Sequence, residues 1–395
     1  MNILFCNTFN ISEIKGGTER ITARISKGLT GRGHHCFLAY KSEIDVSLPL
    51  TKFEDSINVR KNSLEEFILR HQIDAVIIQK MTRDVRIFNK IRRNNNLRYN
   101  IFTVLHFAPR FEEGIMSFSK AWKDLRNETQ STKDGIKNLI RLLSYPIYKL
   151  YYPNRNRNLY QIVYQYSDKV VLLSSAFIDE YIDFCHLKDK SKFYIIPNAL
   201  SYDNFLPIEK LEEKKKQALV VSRLNEPQKR VSLAIKAWAK INSNDSTNFN
   251  LWTLKIVGAG PDEEYYKILV KELELKNVEF CGRQDPRPYY EESAIFLMTS
   301  PKEGWGLTLT EAQQFGCVPI AFNSFSSLKD IINDGYNGYC IENNDLNAYV
   351  SCVLEIMHKP SMLKQIAENA IQYSKKFKLE NIIQLWEKLI IENIS

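Results

Sequence analysis

The sequence predicts an α/β protein of two domains, each on a parallel sheet, with a cleft between them. Three observations predict it. Short apolar runs alternate with helix-length amphipathic stretches through the first half, the pattern of parallel strands joined by crossover helices. The second half repeats the plan. Between the halves, Leu206 to Gln217 is charged and lysine-rich and reads as a linker. The expected bounds are a first domain over 1–205, a linker over 206–217, a second domain over 218–374 and a closing helix over 375–395.

In the first half the strand candidates are Ile3–Cys6, Cys36–Ala39, Ala75–Ile78, Ile101–Leu105, Val170–Leu173 and Phe193–Ile196. Helical patterns fall between several of them, as at Thr18–Gly31 and Ser63–Arg70. The second half offers Ala218–Val221, Leu254–Val257, Val278–Phe280, Ile295–Met298 and Val318–Ala321. Open parallel sheets bind ligands at the C-terminal ends of their strands, so residues just after these runs are the candidates for a site. In the last helix Ile382, Leu385, Trp386, Leu389 and Ile390 line one face, which suits burial against either domain.

Composition excludes several classes. The chain of 395 residues is 44% hydrophobic and 25% charged, ordinary for a soluble globular protein. No run approaches the ~18 apolar residues of a spanning helix. Met1 to Cys6 lacks a basic flank and a cleavage site, and reads as strand and not as signal peptide. Seven dispersed cysteines without C-x-x-C spacing argue against a disulfide framework and against a zinc site, and suit a reducing cytoplasm.

The most informative stretch follows the apolar run Ala294 to Met298. Lys302-Glu303-Gly304-Trp305-Gly306 leads into a helical pattern at Thr308 to Phe315. A strand, a glycine turn and a helix N-terminus present unpaired N–H groups beside a positive dipole end, which suits a phosphate. Gly304 and Gly306 let the backbone approach a ligand. Glu303 and Glu311 flank the turn, spaced E-x7-E. A carboxylate facing phosphate is wasteful unless it binds something else, and sugar hydroxyls are suited to it. A solvated Glu and an ordinary first-turn Glu are the plainer alternative.

This segment resembles the E-x7-E signature of retaining GT-B glycosyltransferases of the family-4, group 1 type, among them bacterial cell-surface polysaccharide enzymes. The resemblance implies a GT-B fold, two Rossmann-like domains whose parallel sheets face a central cleft, and a closing helix that returns to the first domain. It implies that Glu303 lies at the transferred sugar and Glu311 at the ribose of a nucleotide-sugar donor. The diphosphate then falls to the amides of Gly304, Trp305, Gly306 and Leu307 and to two cations, Arg223 and Lys229, which follow the strand Ala218–Val221. Cations suit that place, because the leaving nucleoside diphosphate carries the developing charge. Metal-dependent glycosyltransferases use D-x-D instead, and no two aspartates here are two apart. No metal and no cofactor are therefore expected.

Three further positions follow from the resemblance. Gly16-Gly17, ahead of a helix with Thr18 as N-cap, is similar to the family's N-terminal glycine loop, so Gly17 joins the donor set; a plain flexible turn fits as well. His106 ends the strand Ile101–Leu105 where the family has a histidine at the transferred sugar. Arg283 follows Phe280-Cys281-Gly282 where the nucleotide base sits. Gly258-Ala259-Gly260-Pro261 is similar to the family's G-x-G-P turn and is expected to shape the backbone. Asn323 to Asp330 departs from the glycine-rich turn of most relatives.

From Lys133 to Lys169 there are seven basic and two acidic residues, with seven tyrosines and an apolar row of Ile136, Ile140, Leu143 and Ile147. Such a segment suits an anionic membrane surface; a solvated helical face fits too. It contains no nucleic-acid module. The expected function is transfer of a sugar from a UDP- or GDP-linked donor to a glycan or lipid-linked glycan in surface polysaccharide synthesis. The expected location is the cytoplasm, peripheral at the inner membrane face if the basic segment docks. A GT-B phosphorylase or epimerase, or a silent membrane-associated subunit of a glycan assembly complex, are the alternatives.

Overall fold

The computed structural model describes residues 1–13, 16–44, 48–109, 136, 139–140, 143–244 and 251–393, with backbone alone at 147–152. They form two compact units, Met1–Ala199 with Leu379–Ser395, and Leu200–Lys378.

The first unit holds a sheet of β1 (Asn2–Phe9), β2 (His35–Ser42), β3 (Ser56–Asn58), β4 (Ala75–Ile78), β5 (Asn100–Leu105), β6 (Lys169–Leu172) and β7 (Phe193–Ile195). The second holds β8 (Lys215–Val221), β9 (Thr253–Val257), β10 (Val278–Gly282), β11 (Ser293–Met298), β12 (Val318–Asn323) and β13 (Tyr339–Glu342). The spatial orders are β3-β2-β1-β4-β5-β6-β7 and β10-β9-β8-β11-β12-β13, and the pairings are parallel. Strands such as β4 and β11 are buried along their whole length, because helices cover both faces of a parallel sheet and no alternation is needed. Each order reverses once, between β1 and β4 and between β8 and β11. A crevice opens at the strand C-termini at such a reversal.

Two details of the units differ from the sequence reading. The stretch 206–217 is not a linker: Ile208–Glu213 is a 3-10 turn and β8 opens at Lys215, all inside the second unit. Leu211 is buried in the second unit, where a Cβ on Gly316 would lie 2.5 Å from it. Lys214 turns inward to donate to the carbonyls of Tyr290 (3.0 Å) and Ser293 (2.6 Å). Its charge is taken up by main-chain oxygens, which composition does not reveal. The closing helix opens at Leu379 and not at 375, because Lys375–Phe377 is a 3-10 turn whose Phe377 packs edge-on to Trp305 in the second unit.

The helix Leu379–Asn393 belongs to the first unit and lies along Gly17–Thr30. A Cβ on Gly28 would lie 2.6 Å from Ile383 Cγ1, so that glycine permits the close approach. Glu387 on the closing helix pairs with Arg32 (3.3 Å) and His34 (3.2 Å). Among the described residues no helix is long and apolar enough to cross a membrane. Lys133, Asp134, Lys137 and Arg141 of the basic segment lie outside the described residues.

Candidate active site

In the second unit the expected residues gather at the reversal between β8 and β11. Arg223 lies just past β8, exposed. The G-x-G turn shapes this place. A Cβ on Gly258, whose φ is +140°, would sit 1.8 Å from the Ser222 carbonyl, and one on Gly260 would sit 2.2 Å from that of Leu224. Only glycine admits such contact with backbone. Leu224 N–H donates to the Ala259 carbonyl (3.1 Å), closing the turn onto the strand end.

Lys229 ends a single helical turn, Glu226–Lys229, and stops at Arg230 in the left-handed region (φ 46°). A non-glycine residue is held there only by its surroundings. Arg230 donates to the Thr299 carbonyl (2.9 Å) and to the side-chain oxygens of Asn344 (2.6 Å) and Asn343 (3.1 Å). Thr299 Oγ1 donates back to the Arg230 carbonyl (2.8 Å). This clasp sets Lys229 Nζ 2.5 Å from Glu303 Oε1. The pair was legible only as two separate residues. Arg230, Thr299, Asn343 and Asn344, which hold it, carried no motif.

Beyond Glu303, Gly306 takes the left-handed conformation (φ +90°) as N-cap of the helix Leu307–Gln314. Its carbonyl accepts from Leu309 N–H at 2.9 Å. The stretch that departs from a glycine-rich turn supplies two tethers. Ser324 Oγ donates to the Ser300 carbonyl (2.6 Å), and Ser327 Oγ to that of Gly304 (3.0 Å). The Trp305 side chain is buried edge-on to Phe377, so this residue has only its backbone to offer a ligand. Glu311 is 2% exposed. It accepts from Ser201 Oγ and from Tyr290 OH, the latter at 2.9 Å. Burial, and after it the Glu311 charge, hold the Tyr290 phenol well above its ordinary pKa, so it stays a donor. Ser201 and Tyr290 were not among the expected residues. Arg283 is exposed beyond the edge strand β10.

In the first unit the reversal between β1 and β4 is of another character. Gln79 and Lys80 follow β4, and Cys6 pairs with Ile78, so Asn7 and Gln79 are neighbours in register. Lys80 Nζ meets the buried Glu19 carboxylate at 2.6 Å. His106, past β5, has its Nε2 2.7 Å from Gln79 Oε1. Burial first, and the Lys80 charge second, depress the His106 pKa to about 4, so the ring is neutral near neutral pH. Gly16 and Gly17 lie at the N-terminus of Gly17–Thr30, with Gly16 as N-cap. Thr18 is therefore inside the helix and not its cap, and its carbonyl accepts from Thr22 Oγ1 (2.8 Å). Asn7 and Gln79 escaped the sequence reading because a buried amide at a strand end has no pattern of its own.

Two doubly wound parallel units of this kind, with a closing helix on the first, are the GT-B fold. The lipopolysaccharide outer core galactosyltransferase WaaB superimposes on the chain with a TM-score of 0.68 at 17% identity, covering 99% of each. Anabaena HepE, solved with UDP and glucose, gives 0.68 at 18% identity, over 99% of this chain and 100% of that one. Residues 202–373 match the family model described as glycosyl transferases group 1. An uncharacterized glycosyltransferase of Haemophilus influenzae is 33% identical over 141 residues, 35% of this chain and 40% of that protein. The chain thus spans less than half the length of the first curated relatives it matches. A Campylobacter jejuni protein is similar over 82% of this chain and 90% of its own length, at 22% identity. Its name describes an alpha-1,4-N-acetyl-D-galactosaminyltransferase acting on an undecaprenol-diphosphate-linked glycan.

Proposed function

We propose that the chain transfers a sugar, with retention, from a UDP- or GDP-linked donor to a glycan or lipid-linked glycan in surface polysaccharide synthesis. The observation that carries this reading is the Lys229–Glu303 pair beside exposed Arg223 at the β8/β11 reversal. Arg223 and Lys229 take the diphosphate, with the amides of Gly304 to Leu307 at the N-terminus of Leu307–Gln314. Glu303 contacts the transferred sugar once the diphosphate has drawn Lys229 away. Glu311 takes the ribose. A carboxylate has about four acceptor sites, so Ser201 and Tyr290 need not exhaust it. Gly17 faces the donor phosphates, Arg283 the base and His106 the transferred sugar. The acceptor hydroxyl attacks from the face that the diphosphate leaves, and a phosphate oxygen takes its proton. No metal is required on this reading, because the cations do its work. The C. jejuni name and the UDP complex of HepE support the donor and acceptor classes. Screening hydrolysis of a panel of nucleotide-sugars tests the proposal: one should be cleaved, and an enzyme that cleaves none, alone or with acceptor, overturns it.

The acceptor side of the reading includes a membrane surface, with the protein peripheral at its cytoplasmic face. Ile136, Leu139, Ile140 and Leu143 are 57%, 44%, 59% and 71% exposed, an apolar row at helical spacing. Fewer charges are available than composition suggests: Arg157 Nε is spent on the Phe184 carbonyl (2.8 Å) and Lys169 Nζ on that of Ser191 (2.9 Å). The apolar row therefore carries more of the attraction. Sedimentation with anionic vesicles should fall sharply in a Leu139→Ser, Ile140→Ser, Leu143→Ser variant whose donor hydrolysis persists. Indifference of the unaltered protein to such vesicles would return the segment to a solvated face.

A further inference from the structure

We propose that Gln79 is a positioning residue that fixes His106 as the neutral Nε2–H tautomer and so presents Nδ1 as a hydrogen-bond acceptor. The proposal rests on the reading of His106 as a contact to the transferred sugar, and it says in which form the ring makes that contact.

Gln79 is well placed for this. Its own N–H donates to the Cys6 carbonyl (2.9 Å), which extends the β1–β4 ladder and fixes its backbone. Its side chain lies in a residue only 2% exposed, and the amide nitrogen is buried without a hydrogen-bond partner among the described residues. Among the described residues the one bond of that side chain is therefore Oε1 to His106 Nε2 at 2.7 Å. An amide oxygen can only accept, so Nε2 carries the ring proton. The ring is neutral, as its burial beside Lys80 requires, and has one proton to place. Nδ1 is left with its lone pair. A ring in this form accepts a proton-bearing hydroxyl, as on a sugar, and repels nothing by charge. An imidazolium could only donate.

Two alternatives leave different traces. If the amide were turned over, its NH2 would donate to Nε2 and the proton would move to Nδ1, making the ring a donor toward the ligand. If Gln79 only packed, its loss would act without His106.

The test uses the full chain labelled with ¹⁵N-histidine, the His106 signals being assigned by their absence in His106→Ala. The ring should be the neutral Nε2–H tautomer and should not titrate from about pH 8 to about pH 5, where an unperturbed histidine would. Gln79→Leu should give a mixture of tautomers and lower kcat about tenfold, the size of one lost net hydrogen bond, with donor KM nearly unchanged. Gln79→Glu should raise the ring pKa and give kcat a pH dependence that the unaltered enzyme lacks. In a His106→Ala background, Gln79→Leu should cost nothing further. An Nδ1–H ring, a ring that titrates near its ordinary value, or an additive loss in the double variant overturns the proposal. If the spectrum is as expected yet His106→Ala leaves kcat intact, the sugar-contact reading has failed, and any role of Gln79 in turnover with it. The spectrum and the kinetics thus separate the two failures.

Discussion

The two units share one order over six strands and put different chemistry at its reversal. At the β8/β11 reversal the chain offers exposed Arg223 and a part-exposed pair, Lys229 with Glu303. At the β1/β4 reversal the comparable pair is exposed Lys80 with Glu19, whose carboxylate is buried, and the neighbouring ring of His106 is kept neutral. Two cations together, Arg223 and Lys229, suit a diphosphate whose charge grows as the sugar leaves. Neutral, directional groups suit hydroxyls, where discrimination comes from hydrogen bonds that must be matched. A fold supplies the crevice; the charge state of its lining says what enters it.

The largest effect should come from the cations of the second unit. Arg223→Ala and Lys229→Ala should each lower donor turnover by roughly 100-fold or more, the scale of losing one preorganised stabiliser of developing charge. EDTA should leave the unaltered enzyme active. Full loss with chelator and rescue by magnesium or manganese would assign the diphosphate to a metal, and the comparison would lose its cationic half.

The two glutamates should separate next. Glu303→Ala should mainly lower turnover. Glu311→Ala should weaken donor binding by about tenfold or more, since a hydrogen bond to a charged group is worth ~1.5–3 kcal/mol. Its loss also strands Ser201 and Tyr290, so unfolding of the variant must be measured alongside. Unchanged donor titration by a folded Glu311→Gln or Glu311→Ala protein removes the ribose assignment.

The neutral character of the first unit has a pH signature. His106 binds its proton only near pH 4 when folded, against 6.5 for an ordinary histidine. The unfolded chain therefore holds more protons between those values, and stability falls as pH drops through that window. The stabilisation is complete above about pH 6.5 and amounts to roughly 3 kcal/mol at 1.36 kcal/mol for each pH unit. Denaturant midpoints for His106→Asn should depend less on pH across this range. Equal slopes for both proteins would mean that the ring is solvated.

Much of this was legible in the chain because buried parallel strands need no alternation and so stand out as apolar runs. β3 and β13 did not stand out: Ser56-Ile57-Asn58 is three residues long, and Tyr339–Glu342 is half polar. The linker reading failed at Lys214, whose partners are carbonyls and leave no mark on composition. Arg223, Lys229, Glu303 and Glu311 were visible through spacing. What sequence could not supply was who holds whom. Ser201 and Glu311 are 110 positions apart, and the pairing of Lys229 with Glu303 depends on a left-handed Arg230. Such contacts arise only when strand order brings distant turns together.

The smallest effect should come from the first unit's own ion pair, and it tests the comparison most closely. Lys80→Met alone would leave the Glu19 carboxylate buried without this cation, which is costly for reasons unrelated to function. The double variant Glu19→Gln, Lys80→Met removes both charges together, so that the buried carboxylate is not left unpaired by the loss of its cation. Donor affinity should stay within about twofold, since no diphosphate contact is lost, and kcat should change little. The His106 ring should titrate almost unchanged, because the Lys80 charge that depresses it and the smaller opposing Glu19 charge leave together, while burial, the largest cause, remains. If donor affinity instead collapses as it should for Lys229→Ala, the first unit also binds the diphosphate by charge. The neutral reading of the β1/β4 reversal would then fail.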